Sequence, residues 1–95
     1  MSQTFEWHHK KSEANLFLHG VSFAEASTVF GDSRAITIHD PDHGTADEDR
    51  FLTLGASARN RLLVVVHCDR GDRVRLISAR KATARERRRY YEQET

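Results

Sequence analysis

The side chains of this 95-residue chain with most chemistry to offer are arginines near its end and scattered histidines. Arg73 and Arg75 stand two apart in "RVRLISA", and Arg80 and Lys81 follow directly. A guanidinium grips phosphate through parallel N–H donors and stabilises the charge that builds on a phosphorane. It stays protonated, so it does not serve as a base. Chemistry on a phosphodiester therefore needs a second group, and Lys11, His19, His67 or an acid are the candidates. Two roles fit His67, near the end of the apolar run "LLVVVHC". One is a general acid or base facing a cleft, with an ordinary pKa of about 6.5; the other is a hydrogen-bonded histidine of the core or rim.

Other clusters carry weaker chemistry. The acidic stretch "HDPDHGTADED" offers His39, Asp40, Asp42, His43, Asp47 and Asp49, all of them metal-ligand types. A calcium loop starting at Asp40 would need glycine where Thr45 stands and glutamate where Phe51 stands, so that template fails. Pro41 and Gly44 suit a turn instead. His8 and His9 have no ligand partner at a recognisable spacing, and His19 suits the end of a helix, where the macrodipole favours an imidazolium. Cys68, alone in an apolar run, reads as a small buried filler, and with no second cysteine it fits a reducing cytoplasm.

The elements that must position these groups follow from periodicity. "FEWHH" reads as a short strand. Ala14, Phe17, Leu18 and Val21 recur at helical spacing and predict one buried stripe, ended by Gly20 as a left-handed cap. Ser22 opens a second helix with the capping box "SFAE", and Phe23, Ala26 and Phe30 line its inner face. The period then changes to two. "AITIH", "RFLTLGA", "RLLVVVHC" and "RVRLISA" predict four strands joined by short hairpins, with Asp40–Asp49 as a loop. Leu62–Val66 is apolar on both faces and is expected at the centre of the sheet. Thr83 to Gln93 closes the chain as a helix with a second box, "TARE", anchored by Tyr90 and Tyr91. The fold class is α+β: an N-terminal strand and two helices packed on an antiparallel sheet of about four strands, then a C-terminal helix, in one domain over residues 1–95.

Bulk composition narrows the partners. Net charge is +1, but residues 1–69 carry 6 Lys/Arg against 10 Asp/Glu, whereas residues 70–95 carry 9 against 4. One end can attract a polyanion while the rest does not. No apolar run approaches the roughly 20 residues a membrane span needs, and no secretory signal is visible. The basic helix "RERRRYY" offers no base-reading residues at a recognisable spacing and no dimer geometry, so any sequence-specific DNA contact is expected of a partner.

Two long blocks, "FEWHHKKSEANLFLHGVSFAEASTVF" and "LLVVVHCDRGDRVRLISARKATARERRRY", closely resemble the BrnT family of bacterial toxins. The matching positions include Phe5, Trp7, Lys11, Asn15, His19–Phe23, Glu25, Leu62–Val66, Arg70, Arg75, Ile77–Arg80, Glu86 and Arg87. His8 departs, standing where the pattern has an aspartate. That aspartate could serve as a helix cap or act in catalysis. The resemblance implies a RelE-like fold and a ribonuclease that arrests translation and growth. It also implies a BrnA antitoxin whose ribbon-helix-helix part binds operator DNA, so that this chain reaches DNA only through the complex. RelE-like enzymes work without a metal or cofactor: the RNA 2′-hydroxyl attacks the adjacent phosphate while cations stabilise the charge.

On that basis Arg80 and Arg75 are expected to hold the scissile phosphate, with His67 in proton transfer and Lys11 assisting. Arg50, Arg61, Arg73 and Lys81 are expected to meet RNA charge. The alternative is a catalytically inactive module that only binds its antitoxin and takes part in operon autoregulation.

Overall fold

The computed structural model describes residues 3–45 and 48–93, with side chains left undescribed from 41 to 45. Its elements are β1 (Thr4–Glu6), α1 (His9–His19), α2 (Phe23–Ser27), a 3-10 turn (Thr28–Gly31), β2 (Ile36–Thr45), β3 (Glu48–Ala56), β4 (Leu62–Arg70), β5 (Arg73–Lys81) and α3 (Ala84–Glu92). The α+β class stands, with one refinement. The N-terminal strand joins the sheet, which has five strands in the order β1-β5-β4-β3-β2. β1 runs parallel to β5 through Thr4–Arg73, Phe5–Val74 and Glu6–Arg75, and the other neighbours are antiparallel. The first strand thus pairs with the last, across most of the chain's length, and local periodicity carries no signal for it.

β4 occupies the centre, as its doubly apolar run requires. Leu63 and Val65 face one side, against Val21, Phe23, Ala26 and Val29 of the helical layer. Leu62 and Val64 face the other, against Leu54 and Tyr90, the latter from α3. The sheet is therefore sandwiched, but unequally: α3 covers only part of its second face.

α1 departs from expectation. The stripe Ala14–Phe17–Leu18 is exposed, with Phe17 90% and Leu18 70% accessible, and the one buried residue of the helix is Asn15. The reason lies at the edge of β5. β1 stops at Glu6, opposite Arg75, so the backbone of Ala79 further along has β4 on one side and no strand on the other. The Asn15 amide fills that gap. Its Nδ2 donates to the carbonyls of Ala79 (2.8 Å) and Val21 (2.9 Å), and its Oδ1 accepts from the Ala79 N–H at 3.0 Å. One side chain satisfies both backbone groups of Ala79, as a neighbouring strand would. The helix ends as expected, at Gly20 in the left-handed region (φ 69°) with its N–H on Leu16.

The two capping boxes differ. At Thr83 both halves form, Thr83 accepting from the Glu86 N–H and Glu86 from the Thr83 N–H. At Ser22 only the hydroxyl half forms, because the Glu25 carboxylate turns inward instead. α2 is also shorter than expected and tightens into the 3-10 turn that carries Val29 and Phe30. The Asp40–Asp49 stretch is not a plain loop, since β2 runs on to Thr45 and β3 begins at Glu48.

Candidate active site

A regular strand would separate two of the expected phosphate ligands. Arg75 and Arg80 are five residues apart, and an odd separation places side chains on opposite faces. A register shift between Val66 and His67 prevents this: Val66 pairs with Ser78 and His67 with Leu76, leaving Ile77 as an extra residue. Leu76 and Ala79, three apart, consequently both enter the helix-side core, while Arg75, Ile77, Ser78 and Arg80 share the opposite face. Arg80 also lies within β5, opposite Val64, rather than past its end.

On that face, beyond the area covered by α3, is an open groove of about 310 Å³ lined by Asp40, Arg50, Leu52, Val66, Ser78 and Arg80. Asp40 and Arg50 are cross-strand partners at the β2–β3 end. The Arg50 Nε is buried, lies 3.9 Å from Glu48 and finds no hydrogen-bond acceptor among the described residues. Arg80 approaches from the other wall. Its two terminal nitrogens donate to the two Glu86 oxygens at 2.7 and 2.9 Å, a parallel fork that fixes the guanidinium plane. That pairing holds the Glu86 carboxyl pKa at about 2, so the group is fully ionised at neutral pH. Because Glu86 is also the second half of the α3 capping box, the helix start and the orientation of Arg80 are one structure.

The other expected residues divide. Arg73 and Arg75 alternate with the core residues Val74 and Leu76, so they stand on the groove face, where Glu6 lies 3.7 and 3.6 Å away. They extend the basic surface toward the β1 edge but do not line the groove itself. Lys81, two residues after Ala79, points toward the helical side, and Lys11 is exposed on α1, which contributes nothing to the groove lining.

His67 and Arg61 lie away from the groove. His67 faces the helical layer, 5% exposed, with Nε2 2.7 Å from Thr53 Oγ1, which in turn meets Thr37 Oγ1 at 2.7 Å. Phe30 stands edge-on to its ring and Phe51 stacks on it. Burial pulls its pKa down, so it is a neutral core histidine, separated from the groove by the sheet. The parity of β4 explains why: Leu63, Val65 and His67 are on one side, and Val64 and Val66 are on the other, where Val66 lines the groove. Arg61 is committed elsewhere. It donates from Nε and Nη2 to the buried Glu25 carboxylate and from Nη2 to the Gly20 carbonyl at 2.9 Å. With Ser57 also donating to Glu25 at 2.8 Å, this cluster ties the α1–α2 corner to the β3–β4 turn.

The residues not anticipated are Asp40 and Ser78 in the groove and Glu86 behind Arg80. Asp40 was legible in parity, since Ile36, Ile38 and Asp40 share a face of β2. Ser78 depends on the bulge and could not be read without it. Among the described residues no three His, Cys, Asp or Glu side chains assemble into a set able to hold a metal ion. His39 reaches Asp49 at 3.3 Å, whereas Asp42, His43 and Asp47 lie outside the residues with described side chains. Cys68 is buried, and burial raises its thiol pKa, as expected of a filler. His8 occupies the N-cap of α1 with no side-chain hydrogen bond. Among the described residues no helix is long and apolar enough to cross a membrane.

Comparison with known proteins agrees with the sequence resemblance. A search of curated proteins returns no match. The crystal structure of the Brucella abortus ribonuclease toxin, BrnT, superposes with a TM-score of 0.61 at 21% identity, covering 86% of this chain and 99% of that one. At that identity the likeness concerns the fold. The model of the family described as "Ribonuclease toxin, BrnT, of type II toxin-antitoxin system" matches residues 7–86. Spanning most of the chain from Trp7 to Glu86, that match makes the protein a member of the BrnT family of ribonuclease toxins of type II toxin–antitoxin systems.

Proposed function

We propose that this chain is a metal-independent endoribonuclease whose active site is the groove between Arg50 and Arg80. The observation that carries the reading is the placement of two guanidiniums on opposite walls of one groove, one with a buried Nε that finds no acceptor among the described residues and the other locked in plane by Glu86. A phosphodiester between them would receive donors from both sides as charge develops. In the reaction the RNA 2′-oxygen bonds to phosphorus as the bond from phosphorus to the 5′-oxygen breaks, giving a 2′,3′-cyclic phosphate and a 5′-hydroxyl end. With His67 facing the other side of the sheet, the Asp40 carboxylate, cross-strand from Arg50, takes the 2′-hydroxyl proton, and water protonates the leaving oxygen. Arg73 and Arg75 contribute field from the β1 edge.

Membership of a type II system implies an antitoxin, and we assign that role to a BrnA-type ribbon-helix-helix protein through which the complex reaches operator DNA. The direct test is purified protein with RNA in excess chelator. Cleavage that persists, and falls by about 10²–10³-fold in Arg80→Ala, is expected for removal of one donor to the developing charge. RNA left intact by the wild-type chain would overturn the enzymatic reading, and an undiminished Arg80→Ala would overturn the site.

A further inference from the structure

The groove continues past Arg80. Across Leu52 it opens into an apolar hollow of about 90 Å³ bounded by Ile36, Ile38, Leu54 and Val64, with Glu86 and Arg89 at its rim. Ile36 and Arg89 belong in turn to a wider concavity of about 520 Å³ that Arg85, Arg88, Glu92 and Gln93 complete. Shared walls make the three hollows one channel between β2 and α3, ordered basic, apolar, basic.

The far end is built for a polyanion. Arg85, Arg88 and Arg89 fall at i, i+3 and i+4, so they crowd one face of α3. No ion pair engages any of them among the described residues, whereas Arg80 is held by Glu86 and Arg87 lies over the Tyr91 ring at 5.8 Å. Glu92 in the same wall offsets one charge of three. Like charges placed this close repel, and the arrangement is stable when an external anion lies between them. The wall is also firm. Tyr90 donates to Asp32 at 2.5 Å, Gln93 donates to the Arg34 carbonyl at 2.8 Å, and Arg34 reaches back to the Gln93 carbonyl at 3.4 Å. Between the two basic ends, Ile38 is half exposed on β2 and offers a flat aliphatic surface next to Leu52.

We infer that this channel is an extended single-stranded RNA subsite: the Arg85–Arg88–Arg89 face of α3 holds backbone phosphates beyond the scissile one, and the Ile38–Leu52 surface takes the intervening base. The inference rests on the ribonuclease reading above and deepens it, since it fixes the path of the strand. Continuity with the Arg80 groove favours RNA over an acidic peptide, because the order of charge and apolar surface matches alternating phosphate and base. The rise from Glu86, which holds Arg80, to Arg89 is about 4.5 Å at 1.5 Å per residue, so the two basic sites serve adjacent parts of one strand.

The test uses the full chain and a 2′-O-methyl hexanucleotide, which cannot be cleaved, with binding followed by fluorescence anisotropy across salt concentrations. The triple variant Arg85→Gln, Arg88→Gln, Arg89→Gln is expected to bind about tenfold or more weakly. Its slope of log affinity against log salt should fall by about 2, at roughly 0.7 for each phosphate that is no longer neutralised. A dinucleotide too short to reach α3 should show no such difference in slope between variant and wild type. The triple lysine variant should recover the slope, which separates an effect of charge from an effect on folding, and Arg87→Gln on the other side of α3 should leave it in place. Ile38→Asp should weaken the hexanucleotide more than the dinucleotide. An unaltered affinity and slope in the triple glutamine variant, while wild type still binds and cleaves RNA, would overturn the inference and spare the active site. The same result accompanied by failure to bind the antitoxin would assign the face to the antitoxin. A wild-type chain that neither binds nor cleaves RNA would remove both readings.

Discussion

Arg61→Ala separates a structural arginine from a substrate-binding one. Glu25, its partner, is 7% exposed, and three donors converge on its carboxylate: two from Arg61 and one from Ser57. Arg61 is the main cause that holds this carboxyl at about 2, against an ordinary 4.5 and against the opposing effect of burial. Lowering the carboxyl from 4.5 to about 2 corresponds to roughly 3 kcal/mol. That agrees with the 3–5 kcal/mol typical of breaking a buried pair and leaving one charge behind. Arg59, 3.6 Å away but mostly exposed, offsets little of it.

At neutral pH, Arg61→Ala should therefore lower unfolding free energy by about 3 kcal/mol, moving the urea midpoint by roughly 1–3 M at ordinary slopes. Because the folded-state pKa is depressed, the contribution is complete above pH 4.5 and is lost as pH falls from 4.5 toward 2. Wild type and variant should thus converge in stability across that window. The double variant Glu25→Gln, Arg61→Met should recover much of the loss, since it leaves no buried charge unpaired. RNA affinity measured under folding conditions should keep its salt slope. A variant within about 0.5 kcal/mol of wild type whose salt slope drops by roughly 0.7 would refute the structural reading and return Arg61 to the substrate.

Three further outcomes can be checked by the same unfolding measurements. His8→Asp supplies a side-chain acceptor at the bare N-cap of α1 and should stabilise by about 1 kcal/mol, raising Tm by roughly 4–8 °C; no gain would mean that His8 is not a true cap position. Asn15→Asp removes the amide donor that faces the Ala79 and Val21 carbonyls and sets a carboxylate against them, so a destabilisation of about 2 kcal/mol or more at pH 7 is expected, partly relieved in acid where the aspartate protonates. Tyr90→Phe removes the hydroxyl that Asp32 pushes up to about 12; it should cost about 1–3 kcal/mol and loosen α3, seen as faster amide exchange in its last turn, and unchanged exchange would refute the anchoring role.

Much of the frame was legible in local patterns because the interactions that set it are local. A left-handed cap at Gly20 and a capping box at Thr83 each involve residues within four positions, and both form as read. The centre of the sheet was legible because Leu62–Val66 is apolar on both faces. The failures have one cause in common. Phe17 and Leu18 lie at helical spacing but are exposed, since the polar edge of β5 at Ala79, not an apolar surface, is what meets α1. Glu25 leaves its box because Arg61, 36 positions away, offers two charge-assisted donors.

The sequence by itself determined most of the elements, the caps at Gly20 and Thr83, the central strand and the family, all of which depend on near-neighbour chemistry or on motif order. The geometry of the proposed site was decided by pairing between distant strands. Only the register of β4 against β5 shows that Ile77 is an extra residue, and that single bulge brings Arg75 and Arg80 to one face, while the parity of β4 leaves His67 on the other. Side-chain direction in a strand inverts with every residue, so a one-position shift in a long-range pairing reassigns every catalytic candidate beyond it.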